Sequence, residues 1–225
     1  MSVRLLTIAI DGPSGAGKGT VARTVAERLG YRYIDTGAMY RAVAWKARRA
    51  GVDLHDEQAV AAVANRARIR LEPGVMIDDE DITRAIRTPE IDTAAAVVAR
   101  HPAVRAVLVE QQREYGHGGG IVMEGRDIGT VVFPAADVKV FLDAAPEERA
   151  RRRAIDPAHT APRDSRDVQG VAQALEARDL SDRTRAASPL KVAPDAVYVD
   201  TTGVSIPDVV DKVMDVIREA KQSRR

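Results

Sequence analysis

The sequence predicts an α/β fold, a parallel β-sheet flanked by helices. Short apolar runs that read as strands alternate with longer stretches of helical spacing over most of the 225 residues. Strands joined through helices become parallel by right-handed crossovers. The first apolar run, Leu5–Ile10, stops at Gly12 and Pro13 and gives way to a helical pattern, the strand–loop–helix order that opens many such sheets. The length fits one domain, residues 1–225, with room for a small insertion.

Taken in order, Leu5–Ile10 reads as a buried strand. Thr20–Leu29 has Val21, Val25 and Leu29 at helical spacing and is stopped by Gly30. Tyr31–Ile34 is a short strand. Ala38–Arg49 is a helix with Met39, Ala42 and Val43 opposing Arg41, Lys46 and Arg48, closed by Gly51. Asp56 caps a helix over Glu57–Ala67. The pattern then changes: Ile69-Arg70-Leu71 alternates, Pro73-Gly74 breaks it, and Val75-Met76-Ile77 precedes three acidic residues. This predicts a small antiparallel sheet apart from the main one.

Helices follow at Ile91–Ala99 and Pro102–Tyr115, the second with proline at its first position. After the glycine-rich loop Tyr115–Gly120, strands at Ile121–Met123, Val138–Leu142 and Ala196–Val199 alternate with helices at Pro146–Ala154, Val168–Leu180 and Pro207–Lys221. The segment Asp156–Asp167, with two prolines, three aspartates and no apolar period, reads as a mobile loop.

Hydrophobic residues make up 45%, enough for a sizeable core. Lys+Arg at 34 nearly balance Asp+Glu at 33, so no general attraction to nucleic acid or anionic membrane is expected. The basic residues divide into six Lys and 28 Arg, and arginine's rigid fork suits bidentate phosphate binding. The lack of cysteine excludes disulfides, thiolate chemistry and Cys-ligated zinc. His55, His101, His117 and His159 have no metal-ligand spacing, so no dedicated protein metal site is expected. Leu5–Ile10 is too short for a signal peptide or membrane span, which predicts a cytoplasmic protein.

Gly12-Pro13-Ser14-Gly15-Ala16-Gly17-Lys18-Gly19-Thr20 has the spacing of a phosphate-binding P-loop. Its glycines let successive N–H groups turn inward as an anion nest, and the next helix adds its N-terminal partial charge. Lys18 supplies a compact charge for β- and γ-phosphates. The residue after the lysine is Gly19 rather than Ser or Thr, with Thr20 one step later. A direct magnesium ligand at the first position is therefore lost, and Thr20 or waters must serve.

Two other motifs compete. Gly12-Pro-Ser14-Gly-Ala16 approaches a nucleophile elbow, and His117-Gly-Gly-Gly120 an oxyanion loop. The loop follows the serine here instead of preceding it, and the fifth elbow residue is alanine, so a hydrolase is discounted. Asp200-Thr-Thr-Gly203 matches a GTPase switch motif but lies after the last strand, without an Asn-Lys-x-Asp segment.

Three further segments extend the P-loop signal: Asp35-Thr-Gly-Ala-Met-Tyr40-Arg41, Glu124-Gly-Arg126-Asp127-Ile-Gly129-Thr130-Val-Val-Phe, and Arg178-Asp-Leu-Ser-Asp182-Arg183-Thr-Arg185. Together and in this order they resemble the bacterial-type cytidylate kinases of the nucleoside monophosphate kinase superfamily. The resemblance covers about the whole chain. It implies a P-loop core at 1–35, 116–155 and 168–225, an inserted monophosphate-binding subdomain at about 36–115, and a short lid at about 156–167. The Ile69–Ile82 stretch is similar to the extra sheet of that subdomain.

The implied reaction moves the γ-phosphoryl group of MgATP to CMP or dCMP, with the magnesium held by ATP and waters. The acceptor phosphate, with a second pKa of about 6, is already mostly dianionic at neutral pH and needs no general base. Aligning two strongly negative groups calls for positive donors and positioning.

By the same resemblance, Lys18 and the Gly12–Thr20 loop hold ATP phosphates, and Tyr40, Arg41 and Arg126 belong to the acceptor site. Thr36, Arg105 and Arg185 match positions that contact cytosine, whose O2/N3 edge accepts and whose N4 amine donates. Arg178 and Asp182 match contacts to the sugar. Ala96 stands where the family often has a base-contacting serine, which implies looser base selection unless water or Thr93 compensates. Asp127 and Glu124 follow a strand end, where a carboxylate can orient magnesium-bound water; the sequence does not choose between them. In the lid region, Arg149 is expected over adenine, with Arg153 and Arg183 neutralising the transferring phosphoryl. A monomer is the default expectation. The competing readings are another small-molecule kinase (for UMP, AMP or shikimate) and a nucleotide switch that transfers nothing.

Overall fold

The computed structural model describes residues 4–155 and 168–222. The expected lid segment, 156–167, therefore lies outside the described residues. In chain order come β1 (Thr7–Asp11), α1 (Lys18–Leu29), β2 (Arg32–Asp35), α2 (Thr36–Arg49) and α3 (Glu57–Arg66). Then follow β3 (Ile69–Arg70), β4 (Met76–Ile77), β5 (Glu80–Asp81), α4 (Pro89–Val98) and α5 (Pro102–Tyr115). The rest comprises β6 (Ile121–Gly125), a π-turn at Ile128–Val132, β7 (Val138–Asp143), α6 (Pro146–Ala154), α7 (Val168–Thr184), β8 (Val197–Asp200) and α8 (Ile206–Gln222).

The main sheet has the order β2-β6-β1-β7-β8, and every neighbouring pair is parallel. β1 is central and covered on both faces, so its sequence is a continuous apolar run instead of an alternating one. Ile8 and Ile10 face the layer formed by α1 and α8 with Val122, Val140 and Leu142. Ala9 faces the other way, with Ile34, Ile121, Met123 and Ile128. Each fully buried Ile or Leu of this kind stabilises the fold by about 1.5–3 kcal/mol relative to exposure.

Helices α2 to α5 enclose a separate apolar cluster around Met39, Val43, Ile82, Ile86 and Leu108. The expected small sheet is present as three antiparallel strands, β3-β4-β5. Some boundaries differ from the pattern-based ones for local reasons. α1 starts at Lys18 because Gly17, in the left-handed region at φ 88°, serves as its N-cap. α4 starts at Pro89 because the Thr88 hydroxyl caps it, accepting from Ile91 N at 3.3 Å. α7 continues to Thr184, beyond the expected Leu180.

Periodicity gave no sign of the π-turn. Its anchor is Asp11 at the end of β1, whose carboxylate accepts from Ile128 N at 2.8 Å and Gly129 N at 2.7 Å. Burial pushes the Asp11 carboxyl up to about 6. The turn sends the chain sharply away after β6 and leaves Asp127 at the carboxyl edge of the sheet, where parallel α/β folds place their ligands.

Candidate active site

The cleft at that edge has a volume of about 820 Å³ and reaches from the β1–α1 loop to α4 and α5. The loop's peptide groups are oriented from outside. Lys18 Nζ donates to Pro13 O at 2.7 Å, Arg149 Nη1 to Ser14 O at 3.2 Å, and Thr201 Oγ1 to Ala16 O at 3.3 Å. No side chain caps α1, so the N–H groups of its first turn have no side-chain acceptor. A helix N-terminus left open in this way is suited to an anion. Ser14, Gly15, Gly17, Lys18, Gly19 and Thr20 line the cleft, while Gly12, Pro13 and Ala16 are buried behind it. Thr201 went unnoticed in the sequence because its segment matched only a switch motif.

A second cationic group faces the loop. Arg41 is buried and donates to Asp35 Oδ2 at 2.8 Å; Asp35 also caps α2 by accepting from Ala38 N at 3.0 Å. Arg126 Nε donates to Asp182 Oδ2 at 2.9 Å. Arg178 and Arg41 each approach Asp92 Oδ1 to 4.0 Å, and Arg153 pairs with the same carboxylate. The cations crowd one another. Burial and the nearby Arg126 push Lys18 down to about 7, and the same two causes push Arg178 down to about 10. Crowding of like charge at a cleft is what a polyanionic ligand relieves.

The far end is built from α2, α5, the π-turn and the end of α7. Arg105 Nη2 donates to Asp127 Oδ2 at 2.5 Å and its guanidinium sits 5.2 Å from the centre of the Tyr40 ring. Arg185 is 3.5 Å from Asp127 Oδ1 and donates to Asp182 Oδ1 at 3.3 Å. Thr36 donates its hydroxyl to Glu124 O at 2.8 Å. Ala95, Ala96 and Ala99 form the adjacent wall. Arg105 Nε and Arg41 Nε are buried with no hydrogen-bond partner among the described residues.

Two carboxylates that the sequence could not rank are thereby separated. Asp127 faces Arg105 and Arg185 at the far end. Glu124 lies against the loop, accepting from the Tyr33 hydroxyl at 2.7 Å, and burial raises its carboxyl above the ordinary range.

Helical phase explains which of the named arginines meet. Arg178, Asp182 and Arg185 recur at spacings of four and three and share the face toward the cleft. Arg183 falls off that face and is exposed, outside the cleft lining, on the side where it acts on Tyr198. Arg149 also departs from its expected place over adenine. It is buried beneath the loop, donating to Ala144 O at 3.0 Å and to Ser14 O, and pairing with Asp179. Arg23, Arg87 and Arg152 line the cleft without having been singled out from the sequence. Arg87 stands in no motif; Asp35, whose carboxyl it helps hold down, at least begins one.

No group of three or more His, Cys, Asp or Glu suited to a metal occurs among the described residues. No described helix is long and apolar enough to cross a membrane.

Comparison with known proteins shows the family. The family model for cytidylate kinase matches residues 8–219. A cytidylate kinase from Geobacillus kaustophilus (strain HTA426) is 46% identical over 96% of this chain and 98% of its own length. One from Solibacter usitatus (strain Ellin6076) is 49% identical over 95% and 92% respectively. A bifunctional pantoate ligase/cytidylate kinase from Prochlorococcus marinus (strain MIT 9303) is 47% identical over 94% of this chain but only 44% of its own length. Among solved structures, a gluconokinase from Sinorhizobium meliloti 1021 shares the fold, with a TM-score of 0.52, 16% identity and coverage of 98% and 97%. With a family match over nearly its whole length and close to half its residues shared with these relatives, the chain belongs to the cytidylate kinase family.

Proposed function

We propose that the chain transfers the γ-phosphoryl group of MgATP to CMP or dCMP, giving ADP and CDP or dCDP. The observation that carries this reading is the presence of two cationic grips in one cleft: the Lys18 loop and the Arg41–Arg126–Arg178 group. A nucleotide switch needs only the first. The family's relatives are named as cytidylate kinases, which supports cytidine as the acceptor base.

In this reading the loop N–H groups and Lys18 hold the donor phosphates, and Arg41 and Arg126 hold the acceptor phosphate. Arg153, drawn into the cleft from α6, neutralises charge between them. Arg105, Arg185, Asp127 and Thr36 face the base: arginine donates to the cytosine acceptors and the carboxylate accepts from its amine. Asp182 and Arg178 face the sugar. No residue need remove a proton, because the acceptor is already ionised; the barrier falls through alignment and charge stabilisation.

The donor set beside Lys18 fits a divalent ion carried by ATP. Glu124, held by the Tyr33 hydroxyl and facing Gly19, would orient the ion's waters together with Thr20. When bound, such an ion neutralises charge on the β- and γ-phosphates. Residues 36–115 make up the acceptor-side unit. A cytoplasmic monomer is part of the same proposal.

An ADP-release assay across CMP, dCMP, UMP, AMP and GMP tests the proposal. Strong stimulation by CMP and dCMP is expected. Stimulation by AMP or GMP with none by CMP would overturn it, and no stimulation by any acceptor would favour a switch.

A further inference from the structure

The P-loop is tied to the helix that carries the acceptor-side grips through a buried ion pair that lies outside the cleft lining. Asp179 of α7 accepts from Ser14 N at 3.4 Å, Arg149 of α6 donates to Ser14 O at 3.2 Å, and the two side chains pair with each other. Both are buried, at 7% and 6% exposure for Arg149 and Asp179. The donor and acceptor of one loop peptide residue are thus held by a single salt-bridged unit. The contact is close: a Cβ on Gly15 would stand 2.8 Å from Arg149 O and 2.9 Å from Arg149 Cβ. Asp179 lies between Arg178, which faces Asp92 and the cleft, and Asp182, which accepts from Arg126 and Arg185.

We propose that Arg149 and Asp179 are positioning residues, fixing the Ser14 backbone and with it the course of the donor loop, and holding that loop in register with the α7 grips. The inference rests on the phosphotransfer reading above. A buried ion pair does little for stability compared with a well-packed apolar pair, so retaining one here needs a reason of geometry. In-line transfer supplies that reason, because a misplacement of about 1 Å between two reacting phosphates costs about a hundredfold in rate.

The test uses the full chain and compares wild type, Asp179→Asn and the double variant Arg149→Met with Asp179→Leu. The double variant replaces the pair by apolar side chains of similar size, so it keeps the fold while removing both Ser14 contacts. Readouts are the melting temperature, kcat and KM for ATP and CMP, and hydrogen exchange of the Gly12–Gly19 amides. The expected result for the double variant is a near wild-type melting temperature, loop exchange faster by tenfold or more, and kcat lowered about thirtyfold. Asp179→Asn, which can still accept from Ser14 N but cannot pair with Arg149, should fall between the two. A double variant that recovers melting temperature, loop protection and kcat together would overturn the proposal, since the pair would then serve only packing. Should the double variant not fold, an Asp179→Asn protein with wild-type kcat and loop protection would overturn it equally. Loop exchange is read without acceptor, so a wild type inactive toward CMP would undo the kinase reading while leaving the tether decided on its own evidence.

Discussion

The Glu124 carboxylate occupies the space in front of Gly19: its Oε1 lies 3.0 Å from where a Cβ at position 19 would stand. The Tyr33 hydroxyl, 3.5 Å from the same point, holds that carboxylate by donating to Oε1 at 2.7 Å. The absence of the usual serine or threonine after Lys18 is therefore coupled to a carboxylate from β6. Gly19→Ser would put a hydroxyl against that carboxylate instead of restoring a metal ligand. The expected outcome is a kcat lowered about tenfold and a higher Mg2+ requirement, read from steady-state rates over a Mg2+ titration. Unchanged kcat and Mg2+ dependence would show that Glu124 does not need this space.

Lys18 is held near neutrality by burial and by Arg126, down to about 7. In the unfolded chain it would titrate near 10.5, so between pH 7 and 10.5 the unfolded state binds more protons. The cost of burying its charge therefore fades as pH rises through that window. Donor phosphates favour the charged form, so ATP binding at pH 8 should take up about one proton. Calorimetry in two buffers of different ionisation enthalpy measures this directly. Lys18→Met should abolish the uptake, and equal heats in both buffers for the wild type would contradict the assignment.

The sheet and the donor loop were legible because their signals are local. A glycine pattern between an apolar run and a helical period admits few structures, and Val21 and Val25 lie on the buried face as expected. The contacts that complete the site are not local. Asp11 reaches Ile128 across 117 residues, and Asp179 reaches Ser14 across 165. Nothing at either end shows the pairing in a single sequence. Arg149 was read from its motif neighbours as a cleft residue, whereas the structure gives its donors to the loop's underside. Arg183 shows the reverse: α7 runs on past Leu180, and its helical phase turns Arg183 outward while keeping Arg178 and Asp182 in the cleft.

At the far end of the cleft, Ala96 contributes only a methyl group to a wall shared with Ala95 and Ala99. Ala96→Ser would add a hydroxyl facing the same region as Asp127 and Arg105. A hydrogen bond gained there by one base and not another is worth about 1 kcal/mol, or roughly fivefold. The CMP-to-UMP ratio of kcat/KM should rise by about that factor, with the ATP constants unchanged. A ratio that stays flat or falls would remove residue 96 from base selection.

Asp182 bridges two arginines of the cleft, accepting from Arg126 at 2.9 Å and Arg185 at 3.3 Å. Burial alone would raise its carboxyl, but Arg126, Arg185 and Arg178 together hold it below the ordinary carboxylate range. Its contribution is therefore complete above the unfolded value of 3.8 and is lost only as pH falls through the lower folded value. The site should thus keep one affinity for CMP down to about pH 5 as far as Asp182 is concerned. Asp182→Ala removes the carboxylate to which Arg126 and Arg185 both donate, while Arg185 keeps Ser188 O and Asp127. KM for CMP and dCMP should rise by tenfold or more, while calorimetry finds ATP binding little changed, because the donor loop is anchored through Asp179 and not through Asp182. ATP weakened with CMP unaffected would place this part of α7 on the donor side and reverse the assignment of the two grips.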